Sequence, residues 1–308
     1  MALTGKYSLL VVGGSGFIGS YVVKEGVKRG WDVCSLSLHQ PNPRRRVPEA
    51  NYIFGDIRRP ESLAKLANYQ FDFVVNLGGY IDHLLYANGG YSQIEVHFIG
   101  LLNLLNALDI KYIRRFVQIG SSDEYGNALA PQIESQRELP ISPYSFGKVA
   151  ATHFLQMLNR TESFPAVILR LFLTYGPGQD QNRFLPQIIK GCLSDDSFAT
   201  SSGKQLRDFC YIDDTVNAIF SVLDANNSIG HVFNIASGQP VSIENVIHSV
   251  CKIIGRGRPQ FGMLPNRPLE NSSLYANIAK VQDLVGWSPT VNLTKGLSST
   301  IDWFANEN

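Results

Sequence analysis

The stretch Leu9-Leu10-Val11-Val12-Gly13-Gly14-Ser15-Gly16-Phe17-Ile18-Gly19 decides the fold. An apolar run over 7–12 that stops at glycine is long enough for a buried strand and too short for a membrane span or for the core of a signal segment. Glycines at 13, 16 and 19 then allow a tight turn, a close approach of backbone N–H groups to a pyrophosphate, and close packing of helix on strand. The competing reading is a glycine-rich turn that binds nothing. The position of the glycines, after a strand and opening a helix, favours a dinucleotide loop made of Gly13, Ser15, Gly16, Phe17, Ile18 and Gly19.

Outward from this loop, strand-length apolar runs alternate with helical periodicity. Strands are predicted at 7–12, 32–37, 51–54, 72–77, 115–120 and 166–171, and helices at 17–29, 61–67, 92–108 and 143–159. That alternation predicts an α/β fold with a doubly wound parallel sheet of Rossmann type. Past Arg170 the texture changes to Tyr-Gly-Pro-Gly-Gln and a polar Ser-Ser-Gly-Lys-Gln turn, followed by a return strand within 231–242 and a last helix at 293–305. The expected division is a cofactor domain of 1–173 and 207–239 with a smaller discontinuous lobe of 174–206 and 240–308.

The chain has 308 residues, about two domains' worth at ~150 each. With 27 Lys and Arg against 26 Asp and Glu, its net charge of +1 gives no global field for nucleic acid or an anionic membrane. Any polyanion must be met by local groups. Cys34, Cys192, Cys210 and Cys251 are scattered, without a C-x-x-C pair, which suits neither a zinc site nor a disulfide framework and fits a reducing cytoplasm. No metal is expected. There is no repeat, and no run reaches a membrane span.

At the end of the second strand an NAD site would carry Asp or Glu on the ribose 2′-hydroxyl. Here Ser37 stands in that place, followed by His39 and Arg44-Arg45-Arg46. A hydroxyl and a guanidinium suit a 2′-phosphate, so NADP(H) is favoured and NAD(H) possible, with Ser37, His39 and Arg44 at the phosphate. The arginines could equally be a solvated loop. Asp56, with Ile57 after the third strand, can accept from an adenine amino group or cap the helix near Pro60.

Tyr144 and Lys148 stand at i, i+4 after Pro143 and therefore share a helix face. A phenol is a weak acid–base group at neutral pH, and an ammonium one turn away favours its ionised form. Such pairs also occur by chance on surface helices. What adds weight is Gly120-Ser121-Ser122-Asp123 at the carboxyl end of the fifth strand, where ligands of doubly wound folds bind. Ser121 can orient a substrate carbonyl, Tyr144 protonate it, and Lys148 tune Tyr144. Asp123 is a further acid–base candidate.

Taken together, GGSGFIG, GDIRRPESL, VVNLGG, FVQIGSSDEYG, SPYSFGK, RLFLTYGPGQ, GKQLRDFCYIDD and LVGWSP resemble the extended short-chain dehydrogenase/reductase superfamily acting on nucleotide-diphosphate sugars. The resemblance spans nearly the whole chain. It implies a nicotinamide beside Ser121, Tyr144 and Lys148, with Lys148 also on its ribose and the backbone of Leu77, Gly78 and Gly79 lining the cofactor site. It implies a nucleotide sugar held by Ser122, Asn182, Phe184, Leu185, Arg207 and Arg267, the two arginines on the diphosphate, and a homodimer through the helices near 92–108 and 143–159. His97 and Leu173 stand where an Asn is common, and Asn277 where an Asp is common.

Three chemistries share this scaffold. The segments YGPGQDQNRFLPQII and GKQLRDFCYIDDTVNA most resemble 4-keto-6-deoxyhexose reductases of the CDP-abequose and CDP-paratose synthase type. An NADPH-dependent reductase is therefore expected, with Tyr144 as proton donor. The alternatives are a 4-epimerase, against which the absent carboxylate at Ser37 stands, and a 4,6-dehydratase, in which Ser122-Asp123 would replace the usual acid pair. A non-catalytic cofactor-binding scaffold is a remote alternative that the intact Ser121, Tyr144 and Lys148 oppose.

Overall fold

A computed structural model of the protein describes residues 6–265 and 271–306. In chain order the strands are β1 (Ser8–Val12), β2 (Asp32–Ser37), β3 (Asn51–Phe54), β4 (Phe73–Asn76), β5 (Arg115–Ser121), β6 (Ala166–Leu171), β7 (Leu173–Tyr175), β8 (Ser197–Ala199), β9 (Leu206–Tyr211), β10 (Val232–Ile235), β11 (Pro240–Ser242), β12 (Arg258–Gln260) and β13 (Ser273–Leu274). Seven of them form one parallel sheet in the order β10-β6-β5-β4-β1-β2-β3. The strand order reverses between β1 and β4, which puts the carboxyl ends of both at the crevice where a doubly wound sheet binds its ligand.

The α-helices are α1 (Phe17–Lys28), α2 (Tyr91–Ile94), α3 (Gly100–Ala107), α4 (Pro143–Glu162), α5 (Phe184–Leu193), α6 (Ile212–Asp224), α7 (Ile243–Ile254), α8 (Ala279–Val285) and α9 (Leu293–Ala305). Both faces of the sheet are covered, so its strands read as unbroken apolar runs. Leu9 and Val11 enter one core with α1 and α6, whereas Leu10 and Val12 enter the other with α3 and α4. The first core continues into the smaller lobe through Leu185, Ile247, Trp287 and Leu297.

Two predicted helices differ in kind. Pro60–Asn68 is a 3-10 helix, burying Leu63 and Leu66 at a spacing of three. The single helix expected over 92–108 is broken by a π-helical segment, Glu95–Ile99, between α2 and α3. The return segment 231–242 is two strands: β10 joins the large sheet, and β11 runs antiparallel to β9 in the small one. All of β9 but Leu206 lies inside the 207–239 stretch expected in the cofactor domain, yet its partners are β7, β11 and β13.

One carboxylate ties these sheets together. Asp208 on β9 is fully buried and accepts from Ser237 N and Oγ (2.7 and 2.6 Å), from Gly238 N (3.0 Å) and from Ala276 N (3.3 Å). The turn leaving β10 is thus fixed to the small sheet. Asp208→Ala would strand the buried Ala276 N–H, at about 1–3 kcal/mol, and the part-buried donors of Ser237 and Gly238. The expected result is a loss of about 3 kcal/mol in denaturant unfolding, with the main-sheet fold retained at low denaturant.

Candidate active site

Strand β1 delivers the chain into Gly13, whose φ of +82° suits glycine and whose N–H donates to Leu36 O at 2.7 Å. A Cβ at Gly13 would lie 3.0 Å from Leu77 O, and one at Gly19 would lie 2.2 Å from Gly13 O. Only glycine lets these backbones meet. Helix α1 begins at Gly16, with no side-chain cap and no acidic residue in its first turn. Its uncapped N–H groups and positive dipole end fit a pyrophosphate, so the loop has the shape and charge a dinucleotide requires. Phe17 and Ile18 are half-buried, with Phe17 edge-on to Tyr21.

At the ribose end, Ser37 is buried and its Oγ accepts from Ser15 N at 3.0 Å, while Ser15 Oγ donates to His39 O at 3.1 Å. Ser15, Ser37 and His39 are therefore brought together. The three arginines diverge. Arg45 donates to Gly178 O and Asp180 Oδ1, both at 2.6 Å, and Arg46 lies over the Tyr52 ring. Arg44 is exposed on the 3-10 turn Pro43–Arg45. Asp56 is gripped by Arg58 through Nε and Nη2, and these bonds hold its carboxyl below the usual range. It does not cap the helix at Pro60, whose N-cap is Arg59. Ile57 packs its side chain beneath Gly78 and Gly100.

Helix α4 starts at Ser142 with a capping box and Pro143 in its first turn, which projects Tyr144 and Lys148 toward β5. Tyr144 is 3% exposed, and the Ser121 side chain lies near enough to its phenol to favour the ionised form. Lys148 Nζ donates to Ile119 O at 2.8 Å and stands 5.9 Å from the Tyr144 ring centre. The expectation that Lys148 makes the phenol acidic is not met by the protein alone. Burial, followed by the charge of Asp123, pushes the Tyr144 phenol well above its ordinary value, and burial draws Lys148 down to about 8. Desolvation outweighs the ammonium.

Two histidines flank that phenol ring. His97 lies edge-on at 5.0 Å and His83 edge-on at 5.6 Å. The π-helical segment places His97 under Gly79, where a Cβ would lie 2.3 Å from the imidazole. His97 Nε2 bonds Tyr80 O at 2.9 Å, and buried Nδ1 has no protein partner. The nearby Gly78 N–H is turned inward to Asn76 Oδ1.

The sequence reading missed Glu124. Fully buried, it accepts from Ser121 N (2.9 Å), Thr152 Oγ1 (2.8 Å) and Arg170 Nε (3.0 Å). Ser122, expected at the substrate, is also buried, which leaves Asp123 as the accessible carboxylate of the turn. Leu185 needs correction as well. Its side chain is 2% exposed in the core, so it cannot cradle a nucleotide, whereas Phe184 is half-buried against Phe209 and Asn182 is exposed. Arg207 is buried on β9, its Nη1 donating to Leu206 O. Arg183, not foreseen, acts electrostatically on Tyr144. Arg267 lies outside the described residues.

Burial and the Lys148 charge depress His97 to about 3. Below pH 6.5 the unfolded chain binds a proton at this imidazole and the folded chain does not, so stability present above pH 6.5 is lost as pH falls toward 3. In denaturation titrations over that window the wild type is expected to lose about 1.4 kcal/mol per pH unit more than His97→Asn. Equal slopes would mean that His97 takes up its proton in the folded protein.

The model of the NAD dependent epimerase/dehydratase family matches residues 9–236. A dTDP-glucose 4,6-dehydratase of Xanthomonas campestris pv. campestris (strain B100) is 26% identical, covering 96% of this chain and 92% of its own. A putative UDP-glucose 4-epimerase of Methanocaldococcus jannaschii is 26% identical over 97% and 99%. Among solved structures, UDP-glucuronic acid 4-epimerase of Bacillus cereus, in complex with UDP-glucuronic acid and NAD, superposes with a TM-score of 0.86 at 28% identity over 98% and 100%. UDP-glucose 4-epimerase of Thermotoga maritima has the same fold, with a TM-score of 0.90 at 24% identity over 97% and 99%. These relatives are dehydratases and epimerases, so the kinship is that of the family and not of the abequose and paratose synthase type in particular. With its seven-stranded parallel sheet, its glycine loop and its Ser121, Tyr144 and Lys148 constellation, this chain is a member of the NAD dependent epimerase/dehydratase family of nucleotide-sugar enzymes.

Proposed function

We propose that the protein oxidises C4 of the hexose in a nucleotide-diphosphate sugar, the opening chemistry shared by 4-epimerases and 4,6-dehydratases. The observation that carries this reading is the buried Tyr144 phenol, near Ser121 and 5.9 Å from Lys148 Nζ at its ring centre, at the carboxyl end of β5. Ser121 donates to the C4 oxygen, and Tyr144 accepts the proton of the C4 hydroxyl as that carbon becomes a ketone. When bound along the Gly13–Gly19 loop, an oxidised nicotinamide supplies the two-electron acceptor for C4 and a positive charge that works against the burial penalty on the phenol. Lys148, held on Ile119 O 5.9 Å from the ring centre, adds its own charge. Arg207, with Arg267, would meet the diphosphate, and Asn182 and Phe184 the nucleotide.

One observation favours a second reading, NADPH-dependent reduction of a 4-keto-6-deoxyhexose: Ser37 stands where a retained NAD would find a carboxylate. It also supports NADP(H), with Arg44 and His39 at the 2′-phosphate, while the family and the NAD-bound Bacillus cereus neighbour support NAD. The division into a cofactor domain and a threaded sugar lobe belongs to the same proposal, as does a homodimer through α2–α4, which carry the exposed Tyr91, Phe146 and Met157. Among the described residues no helix is long and apolar enough to cross a membrane.

Purified protein mixed with NAD and, in turn, UDP-glucose, dTDP-glucose and UDP-glucuronic acid should show nicotinamide reduction in a single turnover with at least one of them. Tyr144→Phe should slow that step by about 10²–10⁴-fold. Oxidation of NADPH by dTDP-4-keto-6-deoxyglucose, with no reduction of NAD by any of the three sugars, would instead establish the reductase. Under the second reading, NADPH should bind at least about tenfold more tightly than NADH, about 1.4 kcal/mol. Equal dissociation constants would remove Ser37 and Arg44 from the 2′-phosphate.

A further inference from the structure

We propose that Cys192 and Cys251 form a reversible thiol–disulfide site that fastens α5 to α7 in the smaller lobe, with a low-molecular-weight disulfide as its co-reactant. Their sulfurs lie 3.5 Å apart, Cys192 in the last turn of α5 and Cys251 in the last turn of α7. A disulfide bond is about 2.05 Å long, so about 1.5 Å of sulfur movement joins them. The pair is separated by 59 positions in sequence, and the fold alone brings it together. The other two cysteines are buried elsewhere, Cys34 on β2 and Cys210 on β9. The site is independent of the C4 chemistry proposed above.

Contacts that do not involve sulfur already hold the two helix ends in place. Ile188 and Ile189 of α5 share one core with Ile247 and Val250 of α7. Beyond the helices, β8 pairs in parallel with β12, and Arg258 Nη2 donates to Asp195 O at 2.5 Å in the turn that follows Cys192. Backbones pinned in this way let the bond close without refolding. The loop after α7 passes over Cys192 at Gly257, where φ is +121° and a Cβ would lie 2.5 Å from the sulfur. Any side chain there would push the sulfur from its place. Among the described residues no third His, Cys, Asp or Glu joins the pair in a set that could hold a metal ion.

The two sulfurs differ in access. Cys192 is fully buried, whereas Cys251 is half-buried and so meets the oxidant first. Cys251 gives up its proton and its sulfur bonds to one sulfur of the incoming disulfide, whose S–S bond breaks; the first thiolate leaves and takes up a proton. Cys192 then loses its own proton and attacks the Cys251 sulfur, expelling the second thiolate, which is protonated in turn. In all, two protein thiols lose two electrons and two protons, and the oxidant is reduced to two thiols. Burial, followed by the contact with Cys251, pushes the Cys192 thiol up to about 12. Closure is therefore the slow step near neutral pH, where little of Cys192 is thiolate.

The test incubates the full chain with glutathione disulfide, quenches free thiols by alkylation and maps the peptides by mass. The wild type should lose two hydrogens and yield one linked pair of peptides, Cys192 with Cys251, which a dithiol reverses. Cys192→Ala should stop at a glutathione adduct on Cys251, and Cys251→Ala should leave Cys192 a free thiol. Closure of the wild-type adduct should quicken about tenfold per pH unit between about pH 7 and 9, as the thiolate fraction of Cys192 rises. The closed ring should raise the thermal midpoint by about 5 °C. Thermal unfolding of the reduced variants checks that each is folded, and the wild-type peptide map decides the matter without them. A wild type that stays reduced, stops at the glutathione adduct, or links through Cys34 or Cys210 overturns the pair. A closed link with an unchanged midpoint overturns the fastening of α5 to α7.

Discussion

The site depends on one buried carboxylate that never meets substrate. Glu124 receives hydrogen bonds from the backbone of Ser121 at the end of β5, from Thr152 one turn beyond Lys148 on α4, and from Arg170 on β6. Those bonds fix the relative position of the strand that offers the serine and the helix that offers the tyrosine and lysine. Arg170 is itself fully buried; it reaches Glu138 at 2.6 Å and lies over the Tyr125 ring. A charge pair sealed this deeply gains little net stability over an apolar substitute, and removing one partner costs about 3–5 kcal/mol. What it contributes to this chain is position. Three elements distant in sequence converge on one carboxylate, and Ser121 and Tyr144 meet as a result.

A second constraint acts across the sheets. The hydrophobic core of one sheet face runs without a break from Val11 to Leu297, so the smaller lobe is not a separately closed globule resting on the first. Asp208 and Asp214 add polar ties at its seams. Asp214, at the start of α6, accepts from Thr290 N and Oγ1 and from Val291 N, which holds the segment before α9 against the cofactor side. Chain threading, continuous apolar packing and these carboxylates together set the walls between which a nucleotide sugar would lie.

Much of the sheet was legible because parallel strands buried on both faces are written as uninterrupted apolar runs. β2, β3 and β6 have the predicted ends, and β1, β4 and β5 differ by at most a residue at either end. Ser121, Tyr144 and Lys148 were legible because their spacing follows strand-end and helix geometry. The break in the 92–108 helix was not, since it answers a tertiary contact, the His97 ring under Gly79, that no periodicity encodes. Leu185 was misread for a related reason: its motif is local, but the phase of α5 turns it into the core. Glu124 and Arg170 escaped because charged residues in a sequence read as surface unless a partner is visible, and their partner lies 46 positions away. His83 and Asp123 meet across a loop and a strand end for which sequence spacing gives no measure.

Arg45 carries a consequence for any attempt to re-engineer this protein. It belongs to the triple-arginine loop after β2, yet its guanidinium is spent on Gly178 O and Asp180, in the turn between β7 and α5. Tyr21 of α1 reaches the same turn through Pro177 O. The loop after β2 and the segment after β7 therefore share a hinge pin. Grafting a different loop onto residues 44–46 would change more than that loop: it would release the segment at 177–180 from one of its fastenings, and under the proposed function selectivity for coenzyme and for sugar would have to be redesigned as one property.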